Sequence, residues 1–214
     1  AAGPVAPENP MAIRGEPRQD TRLADSLLDA AGWPRSGGDT RSRGGQPLDF
    51  ELLTVGSSDN AIEQLIQSDL AARGIRMRIR QVEGGAFLTN ARAADKRFDA
   101  LIAGVPGDLS LSYVSAMFES AQGGGSLDYA AFHRPILDAA FEKTRSASSD
   151  AARTQAWREV QQVLRDSVPV SWIYHSRGIQ GISARLLGVT MDLRGELVSI
   201  ARWSAAGPPG ARAR

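Results

Sequence analysis

Apolar residues at helical spacing alternate along this chain with short apolar or alternating runs, and the order predicts an α/β fold between two irregular ends. Leu23, Ala24, Leu27, Leu28 and Ala31 recur at helical spacing, which predicts a helix over roughly 21–31. Gly32 suits a left-handed cap and Pro34 forbids continuation. Gly37, Gly38, Gly44 and Gly45 then make a surface loop, and Leu48 to Val55 reads as a strand. Ile62, Leu65, Ile66 and Leu70 repeat at three and four, so a helix follows, capped by Ser58 or Asp59 and ended by Gly74. Ile75 to Arg80 alternates strictly, the mark of a strand with one buried face and one arginine face. A short helix near 86–94 leads to Phe98–Ala103, whose continuous apolar run predicts a strand covered on both sides. Such a β-α-β-α-β series favours a mainly parallel sheet with right-handed crossovers.

The second half reads as more helical before it returns to strands. Leu109 to Phe118 suits one short helix, Gly123–Gly125 a loop, and Pro135 opens a helix to about Arg145. Asp150 is placed to cap the next helix, in which Ala156, Trp157, Val160, Val163 and Leu164 form an apolar stripe, and the tight link makes the two helices antiparallel neighbours. Segments 168–175, 178–182, 188–193 and 197–203 read as strands, and the Gly/Pro tail beyond Ser204 as disordered. Four prolines before residue 18 make the N-terminus an extended connector. No solenoid repeat is present.

Composition narrows the chemistry more than the fold. At 214 residues and 42% hydrophobic content the chain can bury a sizeable core, in one large or two small domains. Lys+Arg 25 against Asp+Glu 24 leaves a net charge of +1, so no bulk field recruits nucleic acid or an anionic membrane. Cysteine is absent, which removes disulfides, thiolate catalysis and thiolate metal sites. No apolar run reaches a membrane span, and no basic-then-apolar leader opens the sequence. Arg76, Arg78 and Arg80 read as a solvated strand face, because no aromatic residues interleave for base stacking. His133 and His175 lack the spacing of a metal pair, so neither a metal site nor a cofactor is expected. Asp25, Asp29, Asp138 and Glu142 read as ordinary exposed helix charges. Gly123-Gly124-Gly125-Ser126 lacks the Lys-Ser/Thr of a phosphate loop, and no Gly-x-Ser-x-Gly elbow is present, so no catalytic residue is assigned. Trp157 and Trp172 are expected in the core, and Trp33 packed back on its helix cap.

Several segments, in order, resemble one family. Leu27-Leu28-Asp29-Ala30-Ala31-Gly32-Trp33 followed by a Gly/Asp/Arg loop ending in Gln46-Pro47-Leu48 looks like the second lobe of the extracellular solute-binding proteins of family 5, the peptide- and nickel-binding subunits of ABC importers. Gly74-Ile75-Arg76-Met77-Arg78-Ile79 is similar to that family's GI-x-V-x-I strand, and Phe98-Asp99-Ala100 to its FDA strand. Asp128-Tyr129-Ala130-Ala131-Phe132 to Ala139 resembles N-Y-S-G-Y-x-N-P-x-V-D with Asn and the central Gly replaced, and Glu159 to Val170 resembles A-Q-x-I-L-x-x-D-x-P-x-I-P. The chain departs after the FDA strand, where most relatives show Gly-Trp and it reads Ala103-Gly104-Val105-Pro106-Gly107-Asp108-Leu109.

The resemblance covers roughly 17–204 and implies the second lobe of a type II-like periplasmic-binding-protein clamshell, α/β with a mixed, mainly parallel sheet flanked by helices. It implies a hinge-side connector over 1–16, a C-terminal solute-binding lobe over 17–195, and a return strand with a tail over 196–214. The first lobe is expected to lie outside the sequence. The implied partners are a peptide or other small solute, the transmembrane subunits of an ABC permease, and the first lobe, with self-association through the face that lobe covers and no role for nucleic acid. The implied location is periplasmic, or extracellular with a lipid anchor. Ligand contacts are expected at Pro106, Gly107, Asp108, Tyr113 and Tyr174. Asp108 carries the sharpest expectation, since it follows a strand's carboxyl end where ligands gather, and in peptide-binding relatives an Asp in the matching turn pairs with the ligand's α-ammonium group. It is equally placed to cap the helix near Leu109. A small hydrolase-like α/β enzyme and a protein-interaction module are the competing readings.

Overall fold

The computed structural model describes residues 1–15, 18–35, 37–56, 60–105, 110–176, 181–192 and 195–206. Its helices are α1 (Thr21–Ala30), α2 (Ala61–Ala71), α3 (Gly84–Arg92), α4 (Ser112–Phe118), α5 (Pro135–Ser146) and α6 (Asp150–Ser167). Its strands are β1 (Ser42–Arg43), β2 (Gln46–Pro47), β3 (Asp49–Val55), β4 (Arg76–Val82), β5 (Ala100–Leu101), β6 (Leu186–Leu187) and β7 (Ser204–Ala205). The chain forms two compact units, Glu16–Val105 with Ala116–Arg134, and Ala1–Gly15 with Pro106–Ser115 and Pro135–Arg214.

The first of these units is built on a parallel sheet of order β4-β3-β5. Leu52 and Leu53 on the central strand are buried, and Leu53 forms a core with Phe87 and Ala91 of α3, edged by Val82, Phe98, Leu101 and Tyr129. The register pairs Asp49 with Arg76 and Glu51 with Arg78. The arginine face is therefore not simply solvated: Arg76 Nε donates to Asp49 at 3.1 Å, Arg78 lies 3.7 Å from the same carboxylate, and Arg80 pairs with Glu51. The expected strand over 98–103 shrinks to two residues at the sheet edge. Just before it, the Asp99 carboxylate rather than a backbone carbonyl takes the Glu51 amide, at 2.8 Å.

α1 ends as expected, with Gly32 at φ +82 and the Trp33 amide reaching back to the Leu28 carbonyl at 2.9 Å. Yet α1 buries none of its residues, and Leu23 and Leu27 are exposed. What holds it is Arg41, only 2% exposed. Its guanidinium grips Asp29 and, at 2.8 Å, Asp25, and donates to the carbonyls of Trp33 and Arg73 at 2.7 and 2.8 Å. Asp25 and Asp29 are thus anchors, not ordinary surface charges. Trp33 is half-buried and carries the Arg43 guanidinium 4.5 Å above its ring.

The other unit is organised by the helical hairpin α5–α6. Leu137, Ala140, Phe141, Trp157, Val160 and Leu164 are buried, with Phe141 and Trp157 edge to face at 6.1 Å. Ser149 is the cap of α6, accepting the Ala152 amide at 3.2 Å, and Asp150 is its first helical residue. The strands expected after this helix are largely replaced. Val168 closes α6 in a left-handed conformation at φ +48, and 171–176 runs outside any ladder, its Trp172 and Ile173 carbonyls taken by the Ala1 ammonium at 3.0 Å. Trp172 is half-buried. Of 178–182 only the last two residues are described, and they are in no strand; 188–192 contributes a single bridge between Asp192 and Gly195. Segment 197–203 is no strand either. Buried Ser199 accepts the Thr190 amide at 2.7 Å, donates to the Thr190 carbonyl at 2.9 Å and accepts Trp203 Nε1 at 2.9 Å, and this local set favours a short 3₁₀ turn over Ile200–Arg202. Pairing resumes where β7 joins β6. Ser58, Asp59 and the tail from residue 207 lie outside the described residues.

Candidate functional site

Parallel pairing puts the carboxyl ends of β3, β4 and β5 on one edge of the sheet, and there the chain gathers carboxylates with no basic partner among the described residues. Thr54, 2% exposed, donates its hydroxyl to Glu63 Oε1 at 2.6 Å. Glu63 is the sole buried residue of α2, an acid on the face where a helix normally turns an apolar side chain to the sheet. Asn60 supplies a second donor to the same oxygen at 3.2 Å from a left-handed backbone at φ +38. Gly56 makes room for it: a Cβ there would stand 2.3 Å from Asn60 Oδ1. Next to this cluster Val55 pairs with Val82, so Glu83 opens beside it. Glu83 caps α3, accepting the Gly85 and Ala86 amides at 2.9 and 3.3 Å, and those two backbone donors hold its carboxyl below the ordinary 4.5. On the third strand, the Ile102 amide bonds the Leu53 carbonyl at 3.1 Å and the chain runs on toward 106.

Neither Glu63 nor Glu83 has a Lys or Arg partner among the described residues. The edge therefore offers negative charge and hydrogen-bond acceptors, suited to an ammonium or amide-bearing solute. Pro106, Gly107 and Asp108 lie outside the described residues. Tyr113 is buried, its hydroxyl donating to the Pro4 carbonyl at 2.8 Å, and Tyr174 is 61% exposed on segment 171–176. Sequence patterning missed Thr54, Asn60 and Glu63; the available signal was Glu63 itself, an acid one position from Ile62 and two from Leu65 in the apolar repeat of α2.

No group of three or more His, Asp or Glu side chains that could hold a metal occurs among the described residues. His133 Nε2 lies 3.2 Å from Asp128 Oδ2, an oxygen that also accepts the Gly124 amide at 2.8 Å, while Lys96 donates to the Asp128 carbonyl at 2.7 Å. This ties down the loop after Gly123–Gly125.

Residues 1–126 match the family described as bacterial extracellular solute-binding proteins, family 5 Middle. The chain belongs to that family. Protein XP55 of Streptomyces lividans is 28% identical over 217 residues, covering 98% of this chain and 38% of that protein. The nickel-binding periplasmic protein of Escherichia coli K12 is 27% identical over 179 residues, 78% of this chain and 34% of its own length. Among solved structures, the oligopeptide-binding protein AppA from Bacillus subtilis, in complex with a nonapeptide, superposes with a TM-score of 0.79 at 20% identity, over 97% of this chain and 42% of that one. The likeness fixes the fold as an α/β lobe of the type II periplasmic-binding-protein kind. This family 5 chain spans about two fifths of the length of these relatives. Among the described residues no helix is long and apolar enough to cross a membrane.

Proposed function

We propose that this chain is mainly the second lobe of the substrate-binding component of an ABC importer, which encloses a peptide-like or other small solute between two lobes and delivers it to the permease. The observation that carries the reading is the acceptor-rich carboxyl edge of the sheet in a family 5 chain, with Glu63 and Glu83 unpaired by cations among the described residues. Names of relatives supply the solute classes, a nonapeptide for AppA and nickel for the periplasmic protein. Binding without turnover is the proposed activity. Ligand contacts are proposed at Pro106, Gly107, Asp108 and Tyr174, and at Tyr113, whose hydroxyl donates to the Pro4 carbonyl. We place residues 1–16 as the connector to the first lobe, 17–195 as the binding lobe and 196–214 as the returning end. The first lobe and the permease subunits are the proposed partners, and the proposed setting is periplasmic, or extracellular with a lipid anchor.

Leu23, Leu27 and Leu65 stand exposed at 54%, 61% and 64%, which supports concentration-dependent self-association of the chain by itself. The test of function is calorimetric titration of the two-lobe protein with peptides, oligosaccharides and Ni²⁺. One class is expected to bind, and Asp108→Asn to weaken a ligand with a free amino group at least tenfold without changing stability. Absence of binding in all three classes overturns the reading. Unchanged affinity in the Asn variant leaves Asp108 only a capping role.

A further inference from the structure

The N-terminal connector and α6 are joined by one buried side chain. Gln161, 1% exposed, accepts the Ile13 amide at 3.2 Å and donates to the carbonyls of Met11 and Trp157 at 2.8 and 3.0 Å. Beside this seam lies a groove of about 490 Å³ lined by Ile13, Arg14, Arg158, Gln162 and Arg165. Positions 158, 162 and 165 share one face of the helix, and from the first to the last the axis rises ~10 Å. Arg158 gives one N–H to the Pro10 carbonyl at 3.1 Å, and none of the three guanidiniums has a carboxylate partner among the described residues. Asp166, the adjacent acid, is held by Gln162 Nε2 at 2.8 Å.

Three like charges around one concavity repel one another, and an anion seated among them removes that repulsion. Each guanidinium presents a planar fork of N–H donors matched to phosphate oxygens. The three guanidiniums carry three positive charges, which a ligand with several anionic groups in a short chain compensates more fully than a single phosphate does. We propose that this groove binds a soluble linear oligophosphate, clasped by Arg158 and Arg165 at its ends and by Arg14 from the connector, with Ile13 as the apolar wall. The site lies wholly within the α5–α6 unit and is independent of solute capture at the sheet edge.

Calorimetric titration of the chain with tripolyphosphate and with inorganic phosphate, at low and at raised salt, tests this. Tripolyphosphate is expected to bind at least tenfold tighter than inorganic phosphate, more weakly as salt rises, and at least tenfold more weakly in R165Q and in R158Q. R14Q is expected to lose several-fold. Should R158Q fold poorly because it loses Pro10, R165Q and R14Q carry the test, since neither side chain has a hydrogen-bond partner among the described residues. No binding at low salt, or equal affinity in R14Q and R165Q, overturns the proposal. Binding of anionic phosphatidylglycerol vesicles without binding of tripolyphosphate also overturns it and assigns the groove to a lipid surface.

Discussion

Arg41 shows how much one side chain can organise. Its fork reaches Asp25, Asp29 and two carbonyls, and its own amide donates to the Gly74 carbonyl at 2.7 Å, so α1, the loop before β3 and the end of α2 meet on one guanidinium. Arg41→Ala is expected to cost about 3 kcal/mol in urea unfolding, and Arg41→Lys about half, because a point charge keeps the attraction but loses the fork. Acid titration follows from the same contact. The Arg41 hydrogen bond, then the charges of Arg73 and Arg41, hold Asp25 below its ordinary 3.8, and Arg76 does the same for Asp49. Both folded values are depressed. Their contribution is therefore complete above pH 3.8 and is lost as pH falls through the lower folded values, with Glu83 adding the same sign below 4.5. In Arg41→Ala the acid limb of stability against pH is expected to flatten, and an unchanged limb would refute the assignment to Asp25. Ala131 is a second informative residue. It sits at φ +47, a backbone region in which a Cβ is strained, so Ala131→Gly is expected to raise stability by about 0.5 kcal/mol in the same assay.

Elements were legible where periodicity and capping agreed. The repeats that predict β4, α5 and α6 survive in the structure, because Met77, Leu137, Phe141, Trp157, Val160 and Leu164 at those positions are buried; α2 forms as well, although Ile62 and Leu65 of its repeat are exposed. Ser149 defines the start of α6, and Ser149→Ala is expected to lower stability by about 1 kcal/mol, read as a shift in the thermal midpoint. The region after α6 was not legible. Val- and Ile-rich runs such as 168–175 and 197–203 have strand composition, but composition does not supply a partner ladder, and the Ser199 network and the left-handed Val168 settle the backbone first. Arg41 was equally invisible, since an arginine in a Gly/Asp/Arg loop carries no periodic signal. Glu63 does leave a trace in the sequence, an acid set inside the apolar repeat of α2, but a single polar residue there does not reveal that it is the one turned inward.

On the scale of the whole molecule, sequence segments in order were enough to reach the family, and the match over residues 1–126 and the AppA superposition agree with them. Ligand geometry was less accessible, because the turn singled out for it, 106–109, falls outside the described residues. The seam made by Gln161 has a kinetic meaning as well. β3 and β4 pair residues 27 apart in sequence, whereas Ile13 and Gln161 are 148 apart. Closing the longer loop costs about 1.5 kcal/mol more chain entropy, and that cost must be met before any contact at the seam rewards it. Pulse-labelled hydrogen exchange during refolding is therefore expected to protect the amides of Leu52 and Ile79 early and that of Ile13 last. The N-terminal segment, first in the chain, is the final piece to be fastened.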